Sequence, residues 1–158
     1  MAQDILFAID DTEEQTQEDA KELDTTKYLL FATAQLLFGV SSEYVVEIIT
    51  NHTITKLPLV PRHVRGIINL RGQIIPIVDT RMLLGNEGED DQCIIILNID
   101  DTMVGILVDS VQKMMDIDEK AIRSDSSHKE QVLVSGLYSL PDGQTVLIFD
   151  CFQFLNQA

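Results

Sequence analysis

Absences narrow this sequence first. Among 158 residues there are two cysteines, Cys93 and Cys151, each inside an apolar run, so no disulfide framework is implied and a reducing compartment is expected. No apolar run approaches the roughly 20 residues that a membrane-spanning helix needs. Met1 is followed by an acidic, polar stretch rather than a basic start and an apolar core, so a secretory leader is not expected either. Cations are scarce, with 11 Lys and Arg against 26 Asp and Glu, and the net charge of -15 creates a field that repels nucleic acid and anionic membrane surfaces. A cytoplasmic location is the expectation. The means of catalysis are sparse too. His52, His63 and His128 share no metal-like spacing with each other or with the cysteines, and no glycine-rich phosphate loop or nucleophile turn is present. Neither an enzyme, a bound metal nor a cofactor is expected.

What is there divides unevenly. With 45% hydrophobic residues the chain can bury a real core. Residues 1–26 hold nine acids against Lys21, and few apolar groups beyond Ile5 to Ile9, which predicts a mobile, solubilising extension. Residues 51–81 reverse the sign: Lys56, Arg62, Arg65, Arg71 and Arg81 stand against Asp79 alone. Such a stretch on an acidic protein reads either as scattered surface arginines or as a positive face for a negatively charged partner.

The chain also repeats itself. "VRGIINLRGQIIPIVDTRMLL" (64–84) aligns with "VSGLYSLPDGQTVLIFDCFQFL" (134–155) with one residue inserted at the turn, giving eight identical pairs where chance gives about one or two. Upstream, residues 28–48 match 94–114 in pattern, with Gly39/Gly105 and Val45/Val111 identical. Runs such as "CIIILNI" and "TVLIF" predict strands, and about five strands per copy close naturally into a small barrel. The expected fold is therefore mainly β: two five-stranded barrel lobes side by side, the first over approximately 27–90 and the second over approximately 91–158, with short helices capped by Asp79 and Asp150. "SSEYVVEIIT" (41–50) predicts a further helix, with Ser42 as its N-cap and Tyr44, Val45, Ile48 and Ile49 on one face.

The hairpin "RGIINLRGQIIPIVD" (65–79) raises a particular question. Its strands are apolar on both faces, and Pro76 implies an edge or a bulge. The second copy turns on Pro141, Asp142 and Gly143, whereas here Gly72 supplies the permissive backbone, so Arg71 is not required for the bend and reads as a contact residue held out on a rigid hairpin.

These residues, with "LLFGVSSEYVVEII", "ITKLPLVPRHV" and "VGILVDSV" around them, resemble the CheW-type chemotaxis coupling proteins, over residues 27–155. The resemblance implies two SH3-like five-stranded barrels and a non-enzymatic adaptor. Its partners would be the membrane-distal cytoplasmic tip of chemoreceptors and the regulatory domain of the histidine kinase CheA, in arrays at the membrane. A CheW-like scaffold serving another two-component kinase system is the alternative. Carried over by position, receptor contact would fall to Val45, Glu47, Gly66, Asn69 and Arg71. Ordinary packing stays open for Val45, and a strand-packing requirement for Gly66. Kinase contact would fall to Ile94, Val104 and Gly105, for which a plain core role competes because alternate strand residues must fill a barrel.

Overall fold

The structure, a computed structural model, describes residues 25–86, 93–124 and 133–157. Most of the acidic N-terminal stretch, the expected lobe boundary at 90/91 and His128 lie outside the described residues. The chain forms β1 (Thr25–Thr33), β2 (Leu36–Ser41), a 3-10 turn (Ser42–Tyr44), β3 (Val45–Thr50), β4 (Val64–Leu70), β5 (Gln73–Asp79) and a one-turn helix α1 (Thr80–Leu83). It then repeats that order as β6 (Cys93–Ile99), β7 (Thr102–Val108), β8 (Ser110–Asp118), a 3-10 turn (Glu119–Ala121), β9 (Val134–Ser139), β10 (Thr145–Phe149) and α2 (Cys151–Gln157). The duplication thus holds element by element. Among the described residues no helix is long and apolar enough to cross a membrane.

The mainly β fold with two five-stranded sheets stands, but the copies do not each close their own sheet. One sheet has the order β8-β1-β2-β10-β9 and the other β3-β6-β7-β5-β4. Replacing each strand by its repeat partner converts one order into the other, so the last three strands of each copy cross to the opposite sheet. One sheet is accordingly contiguous, from Val45 to Val108, while the other joins residues 25–41 to residues 110–149. The expected division at 90/91 marks the repeat in sequence and not the sheets. Because the two copies are alike, either offers β3 a similar hydrophobic edge, and the connection decides. The single 3-10 turn after β2 carries the chain across to β6, and Asp109 alone links β7 to β8, its N–H donating to the Ala32 carbonyl at 2.9 Å.

The helix expected over 41–50 is not formed. Val45, Val46, Ile48 and Ile49 are β-branched and crowd a helix, while an extended chain accommodates them. They pair with β6 in register Val45↔Leu97, Glu47↔Ile96 and Ile48↔Ile95, which leaves Val46 as a bulge. The bulge places Val45 and Ile48 on the same face three residues apart, a spacing that imitates a helix. In the repeat, β8 pairs Val111 with Phe31 and Lys113 with Leu30, so Gln112 bulges at the corresponding position.

Burial follows strand parity. Leu29, Phe31, Phe38 and Val40 meet Ile95, Leu97, Val104 and Ile106 in a core between the sheets, joined by Phe149 and Phe154. The alternate residues fill each lobe's own interior: Tyr28, Leu30, Val146 and Ile148 in one, Ile75, Ile77, Ile94 and Ile96 in the other. Central strands are therefore apolar on both faces, which is why "CIIILNI" shows no alternation.

Candidate functional site

The site grows from the turn between β4 and β5. Leu70 pairs with Gln73, so the loop is the two residues Arg71 and Gly72, both at positive φ, 53° and 84°. That backbone matches the twist of a hairpin and favours asparagine or glycine, so an arginine at the first position carries a conformational cost. The sequence expectation that Gly72 alone makes the bend is corrected here: Arg71 bends with it. Asn69 stabilises the turn, its Oδ1 accepting from the Gly72 N–H at 2.9 Å.

The Arg71 guanidinium reaches to β3, where Nη1 donates to Glu47 Oε1 at 2.7 Å and Nη2 to Oε2 at 3.4 Å. The Arg71 side chain is 74% exposed and that of Glu47 25%. Strands β3 and β4 are the two ends of their sheet, so this forked pair ties the ends together while leaving much of the cation open to a further carboxylate. Asn69 is exposed beside it. Val45 is half-buried against the core between the sheets, and Ile48, opposite Ile95 of that core, is 42% exposed. Tyr44 packs at the same rim, and the Phe152 ring of α2 meets it edge-on at 6.1 Å. Glu47, Asn69 and Arg71 therefore come together, while Val45 and Ile48 form an apolar rim on the other face of β3. The sequence reading placed Ile48 beside Val45 as a possible apolar seat, though on a helix, counted Ile74, 57% exposed opposite Asn69, only among the apolar hairpin residues, and did not single out Val46, 46% exposed at the bulge. The β-branched run from Val45 to Thr50 was the signal for a strand that presents them.

Other expected contacts lie inside. Gly66 is buried at φ 145°, and a Cβ there would collide with the Thr55 carbonyl oxygen, so its role is a close backbone approach. Ile94 and Val104 are 0% and 2% exposed, and the space above Gly105 is filled by Ile77, Ile94 and Ile96. The assignment of Ile94, Val104 and Gly105 to a kinase surface is therefore corrected: these side chains fill cores and meet no solvent.

The positive stretch is also largely internal. Asp79, with a fully buried side chain, accepts from Arg65 Nε at 3.1 Å, from the Arg81 N–H and Nε at 3.0 Å each, and from Arg81 Nη2 at 3.2 Å. Arg81 also donates from Nη1 to Asp109 at 3.1 Å, and Asp109 in turn accepts from the Ala34 N–H at 3.0 Å. Burial works against the Arg81 charge, but these carboxylate partners hold its pKa above the ordinary value. Two of the five cations are thus paired internally, Arg65 within its own sheet and Arg81 between Asp79 and the Asp109 link to the other sheet, and Arg71 is paired, which leaves Lys56 and Arg62 exposed on the loop before β4.

The cysteines are poor nucleophiles. Burial, aided by the nearby Asp150 and Glu43 charges, pushes the Cys151 thiol up to about 12, and burial also raises Cys93. Among the described residues no group of three or more His, Cys, Asp or Glu side chains is placed to hold a metal ion.

Comparison with known proteins agrees with this architecture. The profile of a family described as the CheW-like domain matches residues 27–158. The chemotaxis protein CheW of Klebsiella aerogenes is 30% identical over 100 residues, which cover 61% of this chain and 60% of that protein, less than two thirds of its length. The chemotaxis protein CheW of Thermotoga maritima is 31% identical over 113 residues, 70% of this chain and 74% of that protein. Among solved structures, the scaffolding protein TtCheW from Thermoanaerobacter tengcongensis superposes with a TM-score of 0.75 at 32% identity, covering 82% of this chain and 92% of that one.

Proposed function

The chain belongs to the family of the CheW-like domain, and on that premise we propose that it is a chemotaxis adaptor without catalytic activity, coupling chemoreceptor cytoplasmic tips to the histidine kinase CheA. The observation that carries the receptor half of this proposal is the exposed Arg71–Glu47 pair at the strand whose other face carries Val45 and Ile48. A receptor helix offers an apolar stripe and carboxylates one turn apart. Its stripe would seat against Ile48 and the rim at Val45, and a carboxylate would take donors of Arg71 that Glu47 leaves open. Asn69 would act by holding the turn as well as by contact. Gly66 would act only indirectly, by allowing β4 to lie where it does. A cysteine thiol held protonated to about 12 fits an adaptor better than a hydrolase. Single contacts of this kind are modest, and an array adds strength by presenting many at once.

The test is a pair of titrations by calorimetry, one with a receptor-tip fragment and one with the kinase regulatory domain. Both should bind the unaltered chain. Ile48→Asp should weaken the receptor arm at least about tenfold, the effect of roughly 1.4 kcal/mol, and leave the kinase arm unchanged. Binding to neither partner would refute the coupling role; equal weakening in both arms would refute the assignment of this surface.

A further inference from the structure

A second surface remains that the adaptor site does not use. The loop "KLPLVPR", from Lys56 to Arg62, is anchored at both ends: Thr55 exchanges backbone hydrogen bonds with Ile67 at 2.8 and 2.9 Å, and the Val64 N–H donates to the Pro61 carbonyl at 3.0 Å. Between these anchors it turns its apolar side chains outward. Leu59 is 104% exposed, Leu57 38% and Val60 36%. Leu59 moreover sits at φ 61°, a left-handed conformation that a leucine adopts only at a cost. A fold gains nothing from holding a leucine fully in water in a strained turn between two prolines. The exposed cations Lys56 and Arg62 flank this apolar knob on both sides.

The chain carries a segment of complementary design. The one apolar run in the first 24 residues is Ile5-Leu6-Phe7-Ala8-Ile9, and it is flanked by Asp4 on one side and Asp10 and Asp11 on the other. Acid, apolar, acid thus answers cation, apolar, cation. The 13 residues between Asp11 and Thr25, where β1 begins, span about 45 Å when extended. A domain of this size is roughly 36 Å across by its expected radius of gyration, and about 57 Å around half its surface, so the segment reaches most of that surface. We propose that residues Asp4–Asp11 dock on the Lys56–Arg62 loop of the same molecule, covering Leu59 and pairing their acids with Lys56 and Arg62.

The sequence has no tryptophan, so Leu59→Trp installs a single reporter at a fully exposed position. In the 158-residue chain this tryptophan should emit several nanometres to the blue of a water-exposed indole. Reversing the acids with Asp4→Lys, Asp10→Lys and Asp11→Lys should return it to the red and at least double its quenching by acrylamide. Adding Lys56→Glu and Arg62→Glu to the reversed chain should restore the protected state. With Leu59 unaltered, the amide NMR shifts of Lys56–Arg62 should move on the same acid reversal. Identical emission, quenching and shifts with native and reversed acids would overturn the proposal. So would protection that fades on hundredfold dilution, which would make the occupant a second copy of the chain.

Discussion

Arg71 carries a conformational cost at the scale of one residue. Its positive φ suits asparagine better, and its ion pair with Glu47 is largely open to water, where such pairs contribute about 0–1 kcal/mol. Arg71→Asn should therefore leave the denaturation midpoint within about 1 kcal/mol of the parent while weakening receptor-tip binding by about 1–3 kcal/mol; an equal loss of both would make the residue structural. Asp79 is the converse case. Asp79→Asn leaves Arg81 buried with one carboxylate fewer and should cost about 3–5 kcal/mol in chemical denaturation. Cys151 adds a pH dependence. Its folded pKa of about 12 lies above the ordinary value of 9.0, so between these the unfolded chain loses a proton that the folded chain keeps. Stability from this group is full below pH 9 and falls as pH rises towards 12, at up to about 1.4 kcal/mol per pH unit. Burial moves Tyr28 and Tyr44 in the same direction. Cys151→Ala should flatten the decline in a pH series of melting curves. The exposure of Arg71 was legible from its place at a glycine turn. The internal use of Arg65 and Arg81 was not, because charge counted along a chain says nothing of which carboxylate folds against it.

At the scale of elements, β3 and the β4–β5 hairpin share the work. The hairpin supplies a rigid turn, the bulge at Val46 aims Ile48 at the rim of the core, and the Arg71–Glu47 pair closes the sheet across its two ends. Gly66 sets where β4 can lie, since Thr55 pairs with Ile67 directly over it. Gly66→Ala combines a forbidden backbone conformation with a clash against a carbonyl, each of order 1–3 kcal/mol. The expected result is a large fall in melting temperature and, in whatever folds, weaker receptor binding through displacement of the turn. The strands were legible from β-branched runs and turn residues. β3 was misread because a bulge changes the phase of its alternation, and the resulting spacing of three between Val45 and Ile48 belongs equally to a helix. Ile94, Val104 and Gly105 were misplaced for a related reason: strands buried on both faces carry no polar residue to mark an outside.

At the scale of the molecule, the repeat in sequence told how many strands to expect and in what order, but not which sheet each would join. The exchange makes one sheet depend on both ends of the chain, and the core between the sheets draws on Phe31 and Phe38 as much as on Ile95 and Ile106. The fragments 1–90 and 91–158 should accordingly fail to fold alone, and the intact chain should unfold in one transition that coincides for circular dichroism and tyrosine fluorescence. The pairing of two sheets through a common core also fixes the rim at Val45 and Ile48 relative to the hairpin at Arg71. The central claim, that this surface couples a receptor to a kinase, is met most directly by measuring CheA autophosphorylation with receptor tips in membranes, with and without the chain. Kinase output should rise and become ligand-sensitive only when the unaltered chain is present, and Ile48→Asp should abolish that gain; output that is the same with and without the chain would contradict the account.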